Sequence, residues 1–435
     1  MSSSINVEPL GGFRDFGVKE TANRLWMIEQ ARAVFEQFGY PPIETPSMER
    51  EEVLRGQYGD EGDTLRFKIV RPNKEVQQFG TIYDLTVPFA RFVAANLPKG
   101  KIGLPFRRSQ VQRVWRGEKP QQGRYREFYQ ADFDIAGSSN PSADVETVLI
   151  GGALMAKFGL DCRVRINNRG LLDAILRSCG VIDDPETFKA ALQIVDGLEK
   201  KGSETVKEFL QSRIDLDEGQ AEDVLTMLTT PFDESTLRKR LDSRGQEPLD
   251  NLVAILELAR SASPKPEQII VDLSVARGLS YYNAFVIEVN IVGAEDLGTV
   301  VGGGRYDNTI GTFLDRQIPA VGASLGVDRC YDALDRFGIF PESTGLADVA
   351  VLAFNEYRDR AFVVAQDFRA KGCSAITIPD PKPLRDLLGY GQSVARTAVI
   401  IGKDEVESGQ LSFKDFGTGS QMRLSFDEIV AELKG

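Results

Sequence analysis

Between Val114 and Gly137 the chain reads VWRGEKPQQGRYREFYQADFDIAG, a stretch dense in side chains that can hold charge in place. Arg116 and Glu118 stand two residues apart, and Arg124 and Arg126 follow a turn-prone Lys119-Pro120-Gln121-Gln122-Gly123. Gln130, Asp132 and Asp134 then alternate with Ala131, Phe133 and Ile135. This period predicts two antiparallel strands joined by a basic loop. Such a hairpin can aim several guanidinium forks and carboxylates at one ligand from a rigid sheet. Arginine grips phosphate oxygens in pairs and keeps its proton, which points to a polyphosphate. Standing alone, a charged hairpin is more often a solvated surface. The rest of the chain reverses that preference.

Gly302-Gly303-Gly304-Arg305-Tyr306-Asp307 is expected to form a tight glycine turn that lets backbone approach a ligand closely. Neither GxxxxGK[ST] nor a GxGxxG after a first strand occurs, so a nucleotide site here is of another kind. The chain contains no histidine. That excludes Ser-His-Asp hydrolysis, Cys-His proteolysis, a histidine general base and the common zinc sites. Chemistry must rest on arginine, lysine, carboxylates, tyrosine and a bound metal. The net charge of −12 argues against polyanion binding over the whole surface but leaves room for a local basic site. Cys162, Cys179, Cys330 and Cys373 form no CxxC and read as reduced cytosolic thiols in the core. No apolar run has membrane-spanning length, and MSSSINVEPLGG lacks a signal-peptide core, so a cytoplasmic location is expected.

The elements that position these residues follow from periodicity. Residues 17–38 predict an amphipathic helix with Ile28, Ala31, Phe35 and Phe38 on one face. Residues 43–46 are extended ahead of Pro46, 49–63 read as an acidic loop, and 65–70 as a strand. Tyr83 to Phe92 is a strand end entering a helix, with Pro88 in its first turn. Asp84 and Thr86 then sit at the helix N-terminus, as caps or as ligands. A helix over 143–158, a strand at 162–166 and a charged helical insertion over about 168–262 follow. Strands resume at Ile269 and at Phe285 to Val289, and 319–329 passes from strand to helix. Beyond 340, strands near 349–354, 374–378 and 397–401 alternate with helices over 356–370 and 426–433, a separate α/β unit at 346–435.

Taken together, these residues resemble the histidyl-tRNA synthetases, class II aminoacyl-tRNA synthetases, over nearly the whole length from Gly11-Gly12-Phe13-Arg14 onward. The class signals are Pro46, Arg116-Gly-Glu118 and Gly326-Val-Asp-Arg329. Arg277-Gly-Leu-Ser-Tyr-Tyr282 and Gly302-Gly-Gly-Arg-Tyr-Asp307 narrow the match to the histidine enzymes. Ser280 stands where the family often has Asp, Asn308 where Gly is usual, and Tyr129 where many bacterial members carry histidine. Residues 384–389 depart from the more basic pattern common in the family.

The resemblance implies an α+β catalytic domain at 1–340, with a six-stranded antiparallel sheet and the helical insertion, and an α/β anticodon-binding domain at 346–435. It implies histidyl-adenylate formation from L-histidine and ATP with Mg²⁺ on the phosphates, transfer to tRNA(His), and a homodimer. It assigns Arg116 and Arg277 to catalysis at the α-phosphate and Arg329 to the γ-phosphate. Glu118 and Phe128 are assigned to adenine and Arg124 to the phosphates. Asp84, Thr86 and Gln130 are assigned to the α-ammonium and carboxylate of histidine. Asp134, Tyr282 and Tyr306 surround the imidazole, with Arg277 and Tyr281 also at the histidine. The alternative is a non-catalytic paralogue acting as a regulatory subunit, which tends to lose the catalytic arginines and the C-terminal domain. In the C-terminal domain Tyr390, Arg396 and Phe416 are candidate RNA contacts, each equally a packing or solvated residue.

Overall fold

Alternation of apolar and polar side chains builds the main sheet. The computed structural model describes residues 5–70, 79–120, 123–276, 281–341, 346–378 and 382–434. Two compact units result, Met1–Asp15 with Met27–Ile339, and Phe16–Trp26 with Phe340–Gly435.

In the first unit, the part of α1 (Val18–Gln37) from Met27 onward buries Met27, Ile28, Ala31, Val34 and Phe35, with the Phe35 ring 5.4 Å from that of Phe133. A small antiparallel sheet follows, of β1 (Met48–Arg50), β2 (Lys68–Ile69) and β3 (Phe79–Thr81) in the order β1-β3-β2. The expected loop over 49–63 instead holds α2 (Glu51–Leu54) and α3 (Gly59–Thr64), and the expected strand over 65–70 shrinks to β2. Arg66 explains the difference. Its buried guanidinium takes both oxygens of Glu51 at 3.0 Å and Oδ1 of Asp63 at 3.2 Å, drawing the segment inward. The chain then enters α4 (Thr86–Asn96).

The large sheet holds β4 (Phe106–Trp115), β5 (Glu127–Ala136), β6 (Cys162–Asn168), β7 (Ile269–Val271), β8 (Phe285–Ile291), β9 (Val301–Arg305) and β10 (Ala320–Gly326). Its order is β4-β5-β10-β9-β8-β6-β7. From β4 to β6 every pairing is antiparallel, whereas β7 joins β6 in parallel. The implied six-stranded antiparallel sheet is therefore present with a seventh strand at its edge. Parallel neighbours need a long crossover, and the helices from α6 (Arg169–Ser178) through α12 (Ser243–Ala262) supply it. α5 (Pro141–Lys157) begins at the Asn140 cap and Pro141, and packs with α12 and the sheet.

The Gly302–Gly304 run is strand, not turn. A Cβ on Gly303 would lie 2.2 Å from the Gly322 carbonyl oxygen, and one on Gly304 2.5 Å from that of Phe285. The glycines serve close strand approach, a role that local turn chemistry cannot reveal. After β10, α13 (Val327–Arg336) starts directly at the strand end.

The second unit carries the sheet β12-β11-β13-β14-β15, built from β11 (Ala347–Ala353), β12 (Ala375–Thr377), β13 (Ala395–Ile401), β14 (Leu411–Asp415) and β15 (Gln421–Leu424). The first three are parallel, as the βαβ alternation predicts, and α14 (Arg358–Ala370) connects β11 to β12. α15 (Leu384–Val394) and the antiparallel pair β14–β15 were not expected from the sequence. Val349, Val351, Phe368, Val399, Phe413 and Ile429 form its core. Among the described residues no helix is long and apolar enough to cross a membrane.

Candidate active site

Register alone places the polar side chains of the large sheet in rows. Arg108 on β4 opposes Asp134 on β5, which opposes Gly322 on β10, which opposes Gly304 on β9. The next row is Gln110, Asp132, Ser324 and Gly302, and the third begins with Gln112, Gln130 and Gly326. Directly opposed residues share a face, so these rows form one polar floor. The alternate set, including Ala131, Phe133, Ala323 and Leu325, is buried in the core. The acids of the hairpin are also buried, Asp132 at 2% and Asp134 at 3% exposure. These side chains are therefore a paved pocket rather than a solvated surface. Gly322 is part of the paving, since a Cβ there would fall 2.1 Å from Asp134 Oδ1.

At one end of the floor, carboxylates and phenols meet. Tyr306 Oη donates to Asp134 Oδ1 at 2.5 Å. Arg108, with no exposure, reaches Asp134 Oδ2 at 2.7 Å and Asp132 Oδ2 at 3.4 Å, and its guanidinium lies 4.6 Å over the Phe89 ring. Asp84 precedes α4. Its Oδ1 accepts from the Val87 amide at 3.1 Å and from Tyr58 Oη at 3.3 Å, and its Oδ2 accepts from Tyr281 Oη at 3.0 Å. Asp84 is thus both a cap and a pocket acid. Thr86 starts the helix, buried, with its hydroxyl against Tyr281. The Tyr281 ring sits 4.7 Å from that of Tyr282 and 6.2 Å from that of Tyr306, and both of those rings are buried. Gln130 donates through Nε2 to Ser324 Oγ at 2.8 Å.

Burial raises the carboxyls of Asp84 and Asp134 above the usual range, and pushes Asp132 up to about 7 despite Arg108. Burial and the neighbouring Asp134 hold the Tyr306 phenol well above its ordinary value. Crowded, desolvated acids that repel one another form a site that gains from a cationic ligand.

At the other end lie the arginines. Arg116 follows β4, donates through Nε to the Tyr83 carbonyl at 3.0 Å, and stacks between the rings of Tyr83 at 4.4 Å and Phe128 at 5.1 Å. Gly117 makes this possible by passing the Leu65 carbonyl, where a Cβ would approach to 3.0 Å. Glu118 accepts from Tyr83 Oη at 3.5 Å and is ion-paired with Arg124. Arg124 and Glu118, assigned to different parts of one ligand, thus hold each other in this structure. Arg329, in the first turn of α13, donates to the carbonyls of Thr299 at 2.9 Å and Gly123 at 3.4 Å. Asp328 beside it accepts from the Tyr129 amide at 3.1 Å and from Arg14 at 2.5 Å, tying helix, strand and N-terminal segment together. The segment is fixed by Gly12, whose carbonyl accepts from the Arg126 amide at 2.9 Å and where a Cβ would meet Pro120 and Arg126 at 2.8 Å.

Arg277 and Ser280 lie outside the described residues. Asn308 accepts from Gln317 at 3.0 Å. Among the described residues no group of three or more cysteine, aspartate or glutamate side chains could hold a metal. In the second unit Arg396 is ion-paired with Asp348, and Phe416 packs with Leu352, Leu387 and Ala398, so these two are held by their own fold. Tyr390 is exposed, with Lys382 Nζ 5.9 Å from its ring centre.

The sequence reading overlooked Arg108, Ser324 and Tyr58, and gave Asp132 no role beyond the polar face of the hairpin. A signal for Arg108 was present, because Arg108, Gln110 and Gln112 alternate at strand period immediately before the hairpin.

Residues 12–330 match the family profile described as histidyl-tRNA synthetase, and residues 348–435 one described as anticodon binding domain. The chain is 35% identical to the histidine–tRNA ligase of Cytophaga hutchinsonii, over 97% of this chain and 98% of that protein. It is 34% identical to the histidine–tRNA ligase of Rhodopirellula baltica, over 97% of this chain and 96% of that protein. The crystal structure of a histidyl-tRNA synthetase from Nostoc sp. superposes with a TM-score of 0.84 at 27% identity, covering 99% of each chain.

Proposed function

The chain belongs to the histidyl-tRNA synthetase family and is a histidine–tRNA ligase, and from that premise we propose how its residues divide the work. L-histidine takes the carboxylate-rich end and ATP the arginine-rich end. The histidine carboxylate attacks the α-phosphorus of ATP, forming the acyl–phosphate bond as the bond to pyrophosphate breaks. The adenylate then passes histidine to tRNA(His). The attacking carboxylate is already ionised, so no general base is required. Catalysis is positioning and neutralisation of charge on the phosphorus.

In this reading Arg116 holds the α-phosphate, kept in aim by Tyr83 and Phe128. Arg277 meets the same phosphate from the histidine side, and Arg329 takes the γ-phosphate. Phe128 stacks on adenine and Glu118 accepts from its amino group. That role requires Arg124 to swing from Glu118 to the phosphates when ATP enters. Mg²⁺ would arrive with ATP as part of the substrate and would offset the charge of its phosphates. Asp84, Thr86 and Gln130 receive the α-ammonium and carboxylate, with Tyr281 aiming Asp84. Asp134, Tyr282 and Tyr306 bracket the imidazole. A site built to hydrogen-bond its substrate rejects side chains lacking that donor pattern.

The observation that carries the assignment is the buried Asp134–Tyr306 pair at one end of a glycine-paved floor whose other end carries Arg116. The regulatory alternative is less well supported, because Arg116, Arg329 and the 348–435 domain are all retained. A cytoplasmic homodimer joined around Pro46 completes the proposal. Its test is ATP–pyrophosphate exchange with each of the twenty amino acids. Exchange should be strong with histidine and near background with the others. Equal activity with another amino acid would overturn the pocket assignment.

A further inference from the structure

A glutamine amide offers a donor at one end and an acceptor at the other, and whichever end faces a ligand decides whether it favours a cation or an anion. Gln130 spends its donor inside the protein, since Nε2 bonds Ser324 Oγ at 2.8 Å. Its Oε1 is buried and has no hydrogen-bond partner among the described residues. The element that fixes this orientation lies one residue further along the floor. Ser324 has a single proton, and because its oxygen already accepts from Gln130, that proton must go elsewhere. Asp132 stands directly opposite Ser324 across β5 and β10, on the same face, and its buried Oδ1 has no hydrogen-bond partner of its own among the described residues, which makes it the acceptor open to that proton. Once ionised, as it is above about pH 7, Asp132 can only accept. Arg108 holds that carboxylate from its other side at 3.4 Å. The chain of donors therefore runs one way, from the Gln130 amide to the Ser324 hydroxyl to Asp132.

We propose that Asp132 is a positioning residue for the amino acid: acting through Ser324, it locks the Gln130 amide so that Oε1 faces the α-ammonium of the substrate. Asp132 does not touch the substrate in this assignment. The inference rests on the reading of this pocket as the histidine site, and it makes amino-group recognition depend on a residue behind the one that makes the contact.

Asp132→Asn tests it by reversing the relay. The Arg108 donors take the asparagine oxygen, which leaves its NH₂ toward Ser324. The serine then accepts there and donates to Gln130, turning the amide so that NH₂ meets the ammonium. In ATP–pyrophosphate exchange the KM for histidine should rise about tenfold, the scale of one charge-assisted hydrogen bond, with the KM for ATP unchanged. Inhibition by 3-(imidazol-4-yl)propionate, which lacks the amino group, should not change. In a Gln130→Glu background, where both ends accept, Asp132→Asn should no longer affect the histidine KM. Ser324→Ala removes the relay without changing charge, and should raise the histidine KM in the same sense while sparing the des-amino compound. This second variant decides the matter if Asp132→Asn does not fold. An unchanged histidine KM, an equal loss for the des-amino compound, or an effect that persists with Gln130→Glu would each overturn the assignment. Wild-type protein without histidine-dependent exchange would instead remove the underlying reading.

Discussion

Arg108 is the only cation with a described contact to both floor acids, so replacing it isolates the electrostatics of the pocket. Methionine keeps most of the side-chain volume against Phe89 and avoids a large cavity. What is lost is the charge shared by Asp132 and Asp134, all three side chains being 3% exposed or less. Leaving buried charges without their partner costs about 3–5 kcal/mol. At ~2 °C per kcal/mol for a large domain, the melting temperature should fall by about 6–10 °C. The loss should depend on pH. Asp132 already sits at about 7 when folded, against an ordinary value near 3.8. A carboxyl raised on folding is protonated in the native state at low pH, so its burial costs nothing below the unfolded value and most above the folded one. At pH 5.5 Asp132 is largely neutral with or without Arg108, whereas at pH 8 it is charged in the wild type and unsupported in the variant. Differential scanning fluorimetry at both pH values should show the larger deficit at pH 8. Adding Asp132→Asn to Arg108→Met should recover more than half of it. A deficit equal at both pH values, or unmoved by the second substitution, would show that packing and not charge is at stake.

Tyr306→Phe removes the 2.5 Å hydrogen bond to Asp134. It should raise the histidine KM about tenfold, the worth of one bond to a charged group, while leaving the ATP KM unchanged in pyrophosphate exchange. Arg277→Ala should lower the adenylation rate by about a hundredfold, the scale of losing one charge-stabilising donor, and a rate within a few-fold of wild type in a folded variant would remove Arg277 from catalysis. Removing residues 346–435 should leave histidine-dependent exchange largely intact and sharply weaken aminoacylation. Unchanged aminoacylation would show that this domain is not the tRNA reader. Binding of tRNA should weaken with added salt more than the exchange reaction does, since phosphate contacts release counterions, and filter binding at two salt concentrations measures it.

The hairpin was legible because a strand signals itself locally. Gln130, Asp132 and Asp134 alternate with apolar residues, and β5 follows that alternation with each set on its own face. Burial was not legible, because a polar strand face looks the same in sequence whether water or a ligand covers it. The same limit accounts for Arg108. Its type and spacing were on view, but the reason it is buried lies in Asp132 and Asp134, two dozen residues away and brought beside it by register. Helices α2 and α3 were hidden for a related reason, since Arg66 holds their acids from beyond the segment.

The glycines carry this furthest. Gly302, Gly303 and Gly304 have the composition of a turn, and their intrinsic preference gives no hint of a central strand. Their place is set by what would be displaced: Gly303 lies against the backbone of Gly322 and Ala323, Gly304 against Phe285 and Tyr282, and Gly322 against Asp134. Alanine at Gly322 would push Asp134 away from Tyr306, and alanine at Gly304 would push Tyr282 out of the pocket wall. Glycine is weak in strands because it packs nothing, and here that is its use. The absent side chains leave the volume in which a substrate can meet buried carboxylates, so a locally unfavourable strand and a usable pocket are one feature of the fold.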